Sequence, residues 1–254
     1  MIQRNIFIIF IMVFFIGCSV EGVVKNTKDE YIDQVIVKII DENNNTIQTT
    51  KTNKDGQYKT IFLPTYKKLK IYAYLGDYNS SEHNFSLSLK NYNAPKVIDM
   101  ILPLDVSIPP DPGEAGKSTL EGIDSDNDGL RDDIQRYIVL NYKDKTEIQK
   151  ALIQNAKASQ KFLLVNNDEK LAYDITIEEF GAMHCLRTKY PKTDEGFYEF
   201  DKTDNDLRSI LLNTEQRVKQ NSKNNALLSG MMLSDGVVTQ NGKSYPPLES
   251  FCKE

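Results

Sequence analysis

Residues 107–116 read Ser-Ile-Pro-Pro-Asp-Pro-Gly-Glu-Ala-Gly, and they divide the chain into two parts of different periodicity. Three of the nine prolines in 254 residues fall here, at 109, 110 and 112. Proline fixes φ and lacks an amide hydrogen, so this run reads as a stiff, extended spacer. Before it, apolar residues recur every second position; after it, they recur at three and four. The expected fold is multidomain, β then α. A small antiparallel β-sandwich covers 33–106, a Pro-rich linker 107–118, and a loop with an all-α helical domain 119–254.

Six strands are predicted in the first part, at 35–40, 46–52, 58–63, 69–75, 84–89 and 97–104. Asp41 to Asn45 reads as a turn, and Asp55-Gly56 as a hairpin signal. The stretch Thr52-Asn53-Lys54-Asp55-Gly56-Gln57-Tyr58, with Asp41 before it and Leu63-Pro64 after, resembles the carboxypeptidase-regulatory-like, transthyretin-like sandwiches. That resemblance implies adhesion, spacing or carbohydrate contact rather than catalysis. An unrelated immunoglobulin-like sandwich has much the same pattern.

In the second part, Ile134, Tyr137, Ile138 and Asn141 share a helical face. Ile148, Leu152, Ala156, Ser159 and Leu163 share another. Asp144 with Glu147, and Thr176 with Glu179, have capping-box spacing. Leu207, Ile210, Leu211, Thr214 and Val218 predict one long amphipathic helix, interrupted near Gly230. The expected total is four or five helices.

The sharpest chemistry lies between linker and helices. Residues 124–135 read Asp-Ser-Asp-Asn-Asp-Gly-Leu-Arg-Asp-Asp-Ile-Gln. Asp124, Asp126 and Asp128 take positions 1, 3 and 5 of a calcium loop, and Gly129 position 6, where the backbone turns sharply. Leu130, at position 7, offers its carbonyl, and Asp132, at position 9, a water-mediated contact. A hard cation needs six to eight oxygens, which odd positions of such a loop direct inward. The stretch resembles the DxDxDG loops of EF-hands, dockerins and thrombospondin type 3 repeats. It departs from them at position 12, where Gln135 replaces a carboxylate, and Asp133 is the expected compensating ligand. Losing one charge predicts affinity near the roughly 10⁻⁴–10⁻³ M of extracellular modules. No helical run precedes Asp124, so the expectation is one loop leading into one helix, with calcium in a structural role.

The N-terminus sets the expected address. Arg4 precedes an apolar run, 6–16, too short for a comfortable span. Phe15-Ile16-Gly17-Cys18 resembles the lipobox of bacterial lipoproteins, with Phe15 where Leu is usual. The resemblance implies a signal peptide over 1–17, acylation of Cys18, and a polar tether over 18–32. Ser19, in place of Asp, implies sorting to the outer membrane in a Gram-negative cell. Cys185 and Cys252 then remain as a pair for a disulfide in an oxidising compartment. Such a bridge is worth about 4 kcal/mol in the chain-entropy model.

A formal charge of −5 argues against nucleic acid as a partner. Two histidines and three cysteines leave little for a zinc enzyme. No P-loop, G-x-S-x-G, H-E-x-x-H or dinucleotide fingerprint occurs. Glu178-Glu179 and Asp204-Asn205-Asp206 read as solvated helix faces, His83 as a loop residue, and His184 as a packed helix residue. Asn213 to Arg217, with Asn221 and Asn225, read as a buried polar network or a ligand groove. The sequence therefore predicts an envelope lipoprotein with a calcium loop, acting as a binding or structural module toward a protein or glycan. The alternatives are an envelope hydrolase or glycan-processing enzyme acting through carboxylates, and a subunit of an envelope assembly.

Overall fold

The computed structural model describes residues 18–92, 94–230 and 247–252, with the strand backbones at 233–234, 237–240 and 243–244. The expected signal peptide over 1–17 lies outside the described residues. A β region precedes a region of five helices, in two compact units: residues through Tyr74 with Asn79–Asp105, and Leu75–Tyr78 with Val106–Glu254.

The first unit contains two sheets. One runs β3 (Thr46–Lys51), β2 (Ile36–Asp41), β5 (Leu69–Leu75) and β6 (Tyr78–Asn79), with β7 (His83–Phe85) also on β5. The other is built on β1 (Val20–Lys25), which pairs antiparallel with β4 (Gln57–Lys59) and parallel with β8 (Lys96–Val97) and β9 (Met100–Ile101). Alternation selects the buried face. Val37 and Ile39 of β2, and Leu69, Ile71 and Ala73 of β5, are buried, whereas Lys38 and Tyr72 between them are partly exposed. The predicted alternation at 84–89 holds for buried Phe85 and Leu87 and ends at Leu89, which is exposed and opens a 3-10 turn.

Two expectations are corrected in this unit. The tether predicted over 18–32 contains β1, the strand on which its sheet is built, with Val20 and Val24 fully buried. Glu21 and Lys25 gave the segment its polar look, but both are partly exposed. Gly22 is required there, because a Cβ would lie 2.1 Å from the Ile98 carbonyl oxygen. The second correction concerns Asp55-Gly56, which closes no hairpin. β3 pairs with β2 and β4 with β1, so the turn carries the chain from one sheet to the other. Asn53 Oδ1 holds it by accepting from the amides of Asp55 and Gln57.

The helices of the second unit are α1 (Asp132–Asn141), α2 (Thr146–Leu163), α3 (Glu169–Arg187), α4 (Asp194–Leu211) and α5 (Glu215–Leu227). Leu130, Ile134 and Ile138 pack with Leu152, Ala156, Leu186, Leu207 and Leu211 in one core. The predicted long helix at 207–218 is broken. Thr214 accepts from the Arg217 amide and caps α5, so the chain starts a new helix rather than continuing α4. Neither predicted capping box forms. Asp168 caps α3 instead, and Thr176, in mid-helix, donates to the Ala172 carbonyl. Lys145, not Asp144, precedes α2, without a side-chain cap. The second unit also contains a short antiparallel meander, β10 (Leu233–Ser234), β11 (Val237–Gln240) and β12 (Lys243–Ser244), which a purely α prediction lacks.

Candidate metal centre

The loop before α1 folds through two left-handed positions, Asn127 at φ 54° and Gly129 at φ 86°. Glycine adopts the second without a Cβ penalty. The turn brings the carboxylates of Asp124, Asp126 and Asp128 together, with one ligand oxygen from each within 4.8 Å of the others. Amides of the same loop hold the carboxylates in place. Asp124 Oδ2 accepts from the Gly129 amide at 2.9 Å, and Asp128 Oδ1 from the Leu130 amide at 2.8 Å. Asp126 Oδ1 accepts from the Asp128 amide at 3.2 Å. Among the described residues, one protein cation faces the group: Lys157, on α2, lies 3.5 Å from Asp128 Oδ2 and donates to the Asp128 carbonyl.

The remaining predicted ligands divide. The Leu130 side chain is fully buried in the helical core, so it anchors the loop while its backbone stays in the turn. Asp132 is 1% exposed, and its Oδ1 accepts from the Ser125 amide, tying the loop's second residue to the first turn of α1. Burial pushes its carboxyl above the usual range, the Ser125 hydrogen bonds oppose this, and the charges of Asp126 and Asp124 add to it. Asp133 is held by other partners. Its two oxygens take a bidentate fork from Arg131, at 2.9 and 2.8 Å, and a bond from Asn213 at 2.9 Å. Neighbouring helix positions point about 100° apart, so Asp133 turns to Arg131 while Asp132 turns to Ser125.

Gln135 reaches back to the loop. Its Nε2 donates to Asp126 Oδ2 at 3.3 Å, while its Oε1 is buried and, among the described residues, accepts no hydrogen bond. A buried amide oxygen without a donor is costly unless a cation meets it. The carboxylates of Asp124, Asp126 and Asp128 make an all-oxygen donor set, which suits a hard divalent cation, and the Leu130 carbonyl, Asp132 and the Gln135 amide oxygen are the further oxygen donors of the same stretch. The residues present therefore fit a metal ion.

Two buried arginines fix this region; the sequence reading missed the burial of Arg131 and held Arg217 only within a polar run left open between a buried network and a ligand groove. Arg131, fully buried, donates to the Ile210 and Leu211 carbonyls at the end of α4, where the helix dipole favours a cation. Arg217, also fully buried, donates to the carbonyls of Gly116, Thr119 and Leu120 and to Asn213 Oδ1. It thereby holds the segment leading into the loop against α5. The polar run at Asn213 to Arg217 was the available signal for it: Arg217 and Asn213 join a hydrogen-bond network, Glu215 and Gln216 are exposed, and Asn225 lines a cavity. Asn224 continues the pattern, donating to the Phe162 and Leu163 carbonyls that end α2.

Cys185 and Cys252 are disulfide-bonded, with Cα atoms 5.3 Å apart. The bridge fastens the 3-10 turn Leu248–Phe251 to α3, where Phe251 covers Gly181 and Gln154 donates to the Phe251 carbonyl. Cys18 is 1% exposed, and its thiol donates to the Ser88 carbonyl at 3.4 Å. His184 lies 3.8 Å from Glu249, and His83 sits in β7 rather than in a loop. Glu178 pairs with Lys161 and Asp206 with Lys202, as expected of solvated faces. Glu179 and Asp204 instead line one cavity. Among the described residues no helix is long and apolar enough to cross a membrane.

No protein-family model matches the chain, and no curated protein matches it. Among solved structures it is similar to the Bacillus anthracis TIE protein at 18% identity and a TM-score of 0.27. That match spans 34% of this chain and 16% of the other.

Proposed function

We propose that this chain is a lipid-anchored protein of the bacterial cell envelope in which a calcium ion bound by the 124–135 loop fixes the start of a helical binding or structural module. The observation that carries the metal part is the convergence of Asp124, Asp126 and Asp128 at the head of α1, with the orphaned Gln135 oxygen beside them. Calcium is favoured over magnesium because a donor set with a neutral amide and a backbone carbonyl suits a larger ion of irregular coordination. The role is structural. Loop and helix share Leu130 and Asp132 with the core, so an ion there joins the linker end to the helices.

Phe15-Ile16-Gly17-Cys18 supports the anchor, and the Cys185–Cys252 bridge supports an oxidising compartment. Acylation takes the Cys18 thiol away from Ser88. It also places lipid two residues before β1, so the sheet built on β1 stands at the bilayer surface without a spacer. Ser19 supports outer-membrane sorting, and the module's ligand is a protein or glycan.

The test is calorimetric titration of the full chain with calcium and with magnesium, alongside thermal unfolding in calcium and in chelator. One calcium per chain, near roughly 10⁻⁴–10⁻³ M and with a raised Tm, supports the metal reading. No heat up to about ten times that concentration overturns it. For the anchor, the mass of the N-terminal peptide from a membrane fraction decides: an acylated Cys18 supports it, and an unmodified thiol removes it.

A further inference from the structure

The helical unit holds a cavity of about 130 Å³ between α2, α3 and α4, with a margin from α5. Its walls are mixed. Phe180, Met183, Leu207 and Leu211 supply apolar surface. Glu179 and Asp204 supply carboxylates, in different states of compensation. Asp204 is matched by Arg208 at 3.3 Å. Glu179 accepts from Ser159 Oγ at 2.5 Å, and among the described residues no lysine or arginine forms an ion pair with it. Arg208 is 56% exposed at the side chain, so water screens its charge at the rim, whereas Asp204 is 20% exposed.

We propose that this cavity is a binding site for the ammonium end of a small amine that carries an apolar body. The volume is that of a single ring or a short alkyl chain, for an apolar cavity of about 150 Å³ accepts benzene. The apolar walls take the body. The cavity's uncompensated polar group is a carboxyl, so the matching head is a cation with hydrogen-bond donors, which Glu179 and Ser159 accept together. An anion meets two carboxylates against one arginine already paired with Asp204, and a neutral alcohol gains the apolar contact alone. Burial raises the Glu179 carboxyl above its usual range, the Ser159 bond and the Arg208 charge oppose this, and the Asp204 charge adds to it. A group so placed gains from an incoming cation. The inference goes beyond the metal loop and the lipid anchor and rests on neither, so either can fail without it.

The test uses the full chain in non-ionic detergent at neutral pH and three probes of one shape: benzylammonium, benzyl alcohol and benzoate. Binding is read by ligand-observed NMR and by displacement of resonances from α3. The expected result is benzylammonium at about 1 mM, benzyl alcohol about tenfold weaker, and benzoate undetected. Glu179→Gln is expected to bring benzylammonium down to the level of the alcohol. Glu178→Gln, on the outer face beside Lys161, is expected to change nothing. Equal binding of ammonium and alcohol by the wild-type chain, preference for benzoate, or no binding of any probe overturns the proposal, with no variant needed.

Discussion

Replacing Lys157 with Met tests whether a lysine competes with the metal. The ammonium lies 3.5 Å from Asp128 Oδ2, and the two side chains are 32% and 35% exposed. At that separation Coulomb's law gives about 1.2 kcal/mol in a water-like dielectric and about 5 kcal/mol at an effective value of 20. With a third of each side chain in solvent the lower figure applies, and measured exposed pairs support about 1 kcal/mol. An incoming divalent ion must displace or share that carboxylate, so removing the lysine is expected to tighten calcium binding about fivefold. Methionine keeps the length and apolar stem on α2 and removes only the charge. The assay is calorimetric titration of wild type and Lys157→Met at about 0.15 M and about 1 M salt, because the gain shrinks as the Debye length falls from about 8 to 3 Å. In chelator the variant is expected to be less stable than wild type, because the loop carboxylates then repel without a counter-ion. Unchanged or weaker calcium affinity at low salt refutes the argument and makes Lys157 a strut of the loop rather than a rival of the ion.

Three further outcomes follow from the same structure. Arg217→Met leaves the Gly116, Thr119 and Leu120 carbonyls without their donor, and at about 1 kcal/mol each the loss is about 3 kcal/mol in urea unfolding; a loss below about 1 kcal/mol means that water replaces the guanidinium. Substituting Cys185 and Cys252 together by Ala opens a link across 67 positions and is expected to lower stability by about 4 kcal/mol; equal stability of oxidised and substituted chains would rule the staple out. Glu179→Gln carries a pH signature. Burial raises the wild-type carboxyl in the folded state, so its favourable contribution is full below its ordinary value of 4.5 and fades as pH rises through the folded value. The variant has no such proton, so its stability relative to wild type is expected to climb as pH rises above 4.5 and through the raised folded value; a flat difference contradicts the burial.

What was legible in the sequence is what obeys a local rule. β2 and β5 alternate cleanly, and the predicted spans of 35–40 and 69–75 sit on Ile36–Asp41 and Leu69–Leu75. The aspartate spacing of the metal loop is likewise local, since a five-residue turn sets it. What escaped depends on partners far along the chain. β1 is short and charged at Glu21 and Lys25, and only the strands on either side of it reveal it as interior. Asp133 was expected as a ligand because Gln135 lacks a carboxylate, and nothing local shows that Arg131 takes both its oxygens. Arg131 is buried because the end of α4, eighty positions on, supplies carbonyls for it. The helix at 207–218 kept its apolar period across Thr214, and periodicity does not register a cap.

β1 also sets a timetable. Its register joins Val20 to Lys96 and Val24 to Met100, so the first described strand and the last strands of its sheet are neighbours. A chain made from its N-terminus at roughly 5–20 residues per second holds β1 ready for about 4 to 14 s before β8 and β9 exist. Through that interval one edge of an apolar strand stays open to any other strand it meets. The interval before β8 and β9 arrive, rather than the finished fold, is thus the vulnerable period for the first unit, and a factor that shields residues 20–25 during it would raise the yield of native protein without altering its stability.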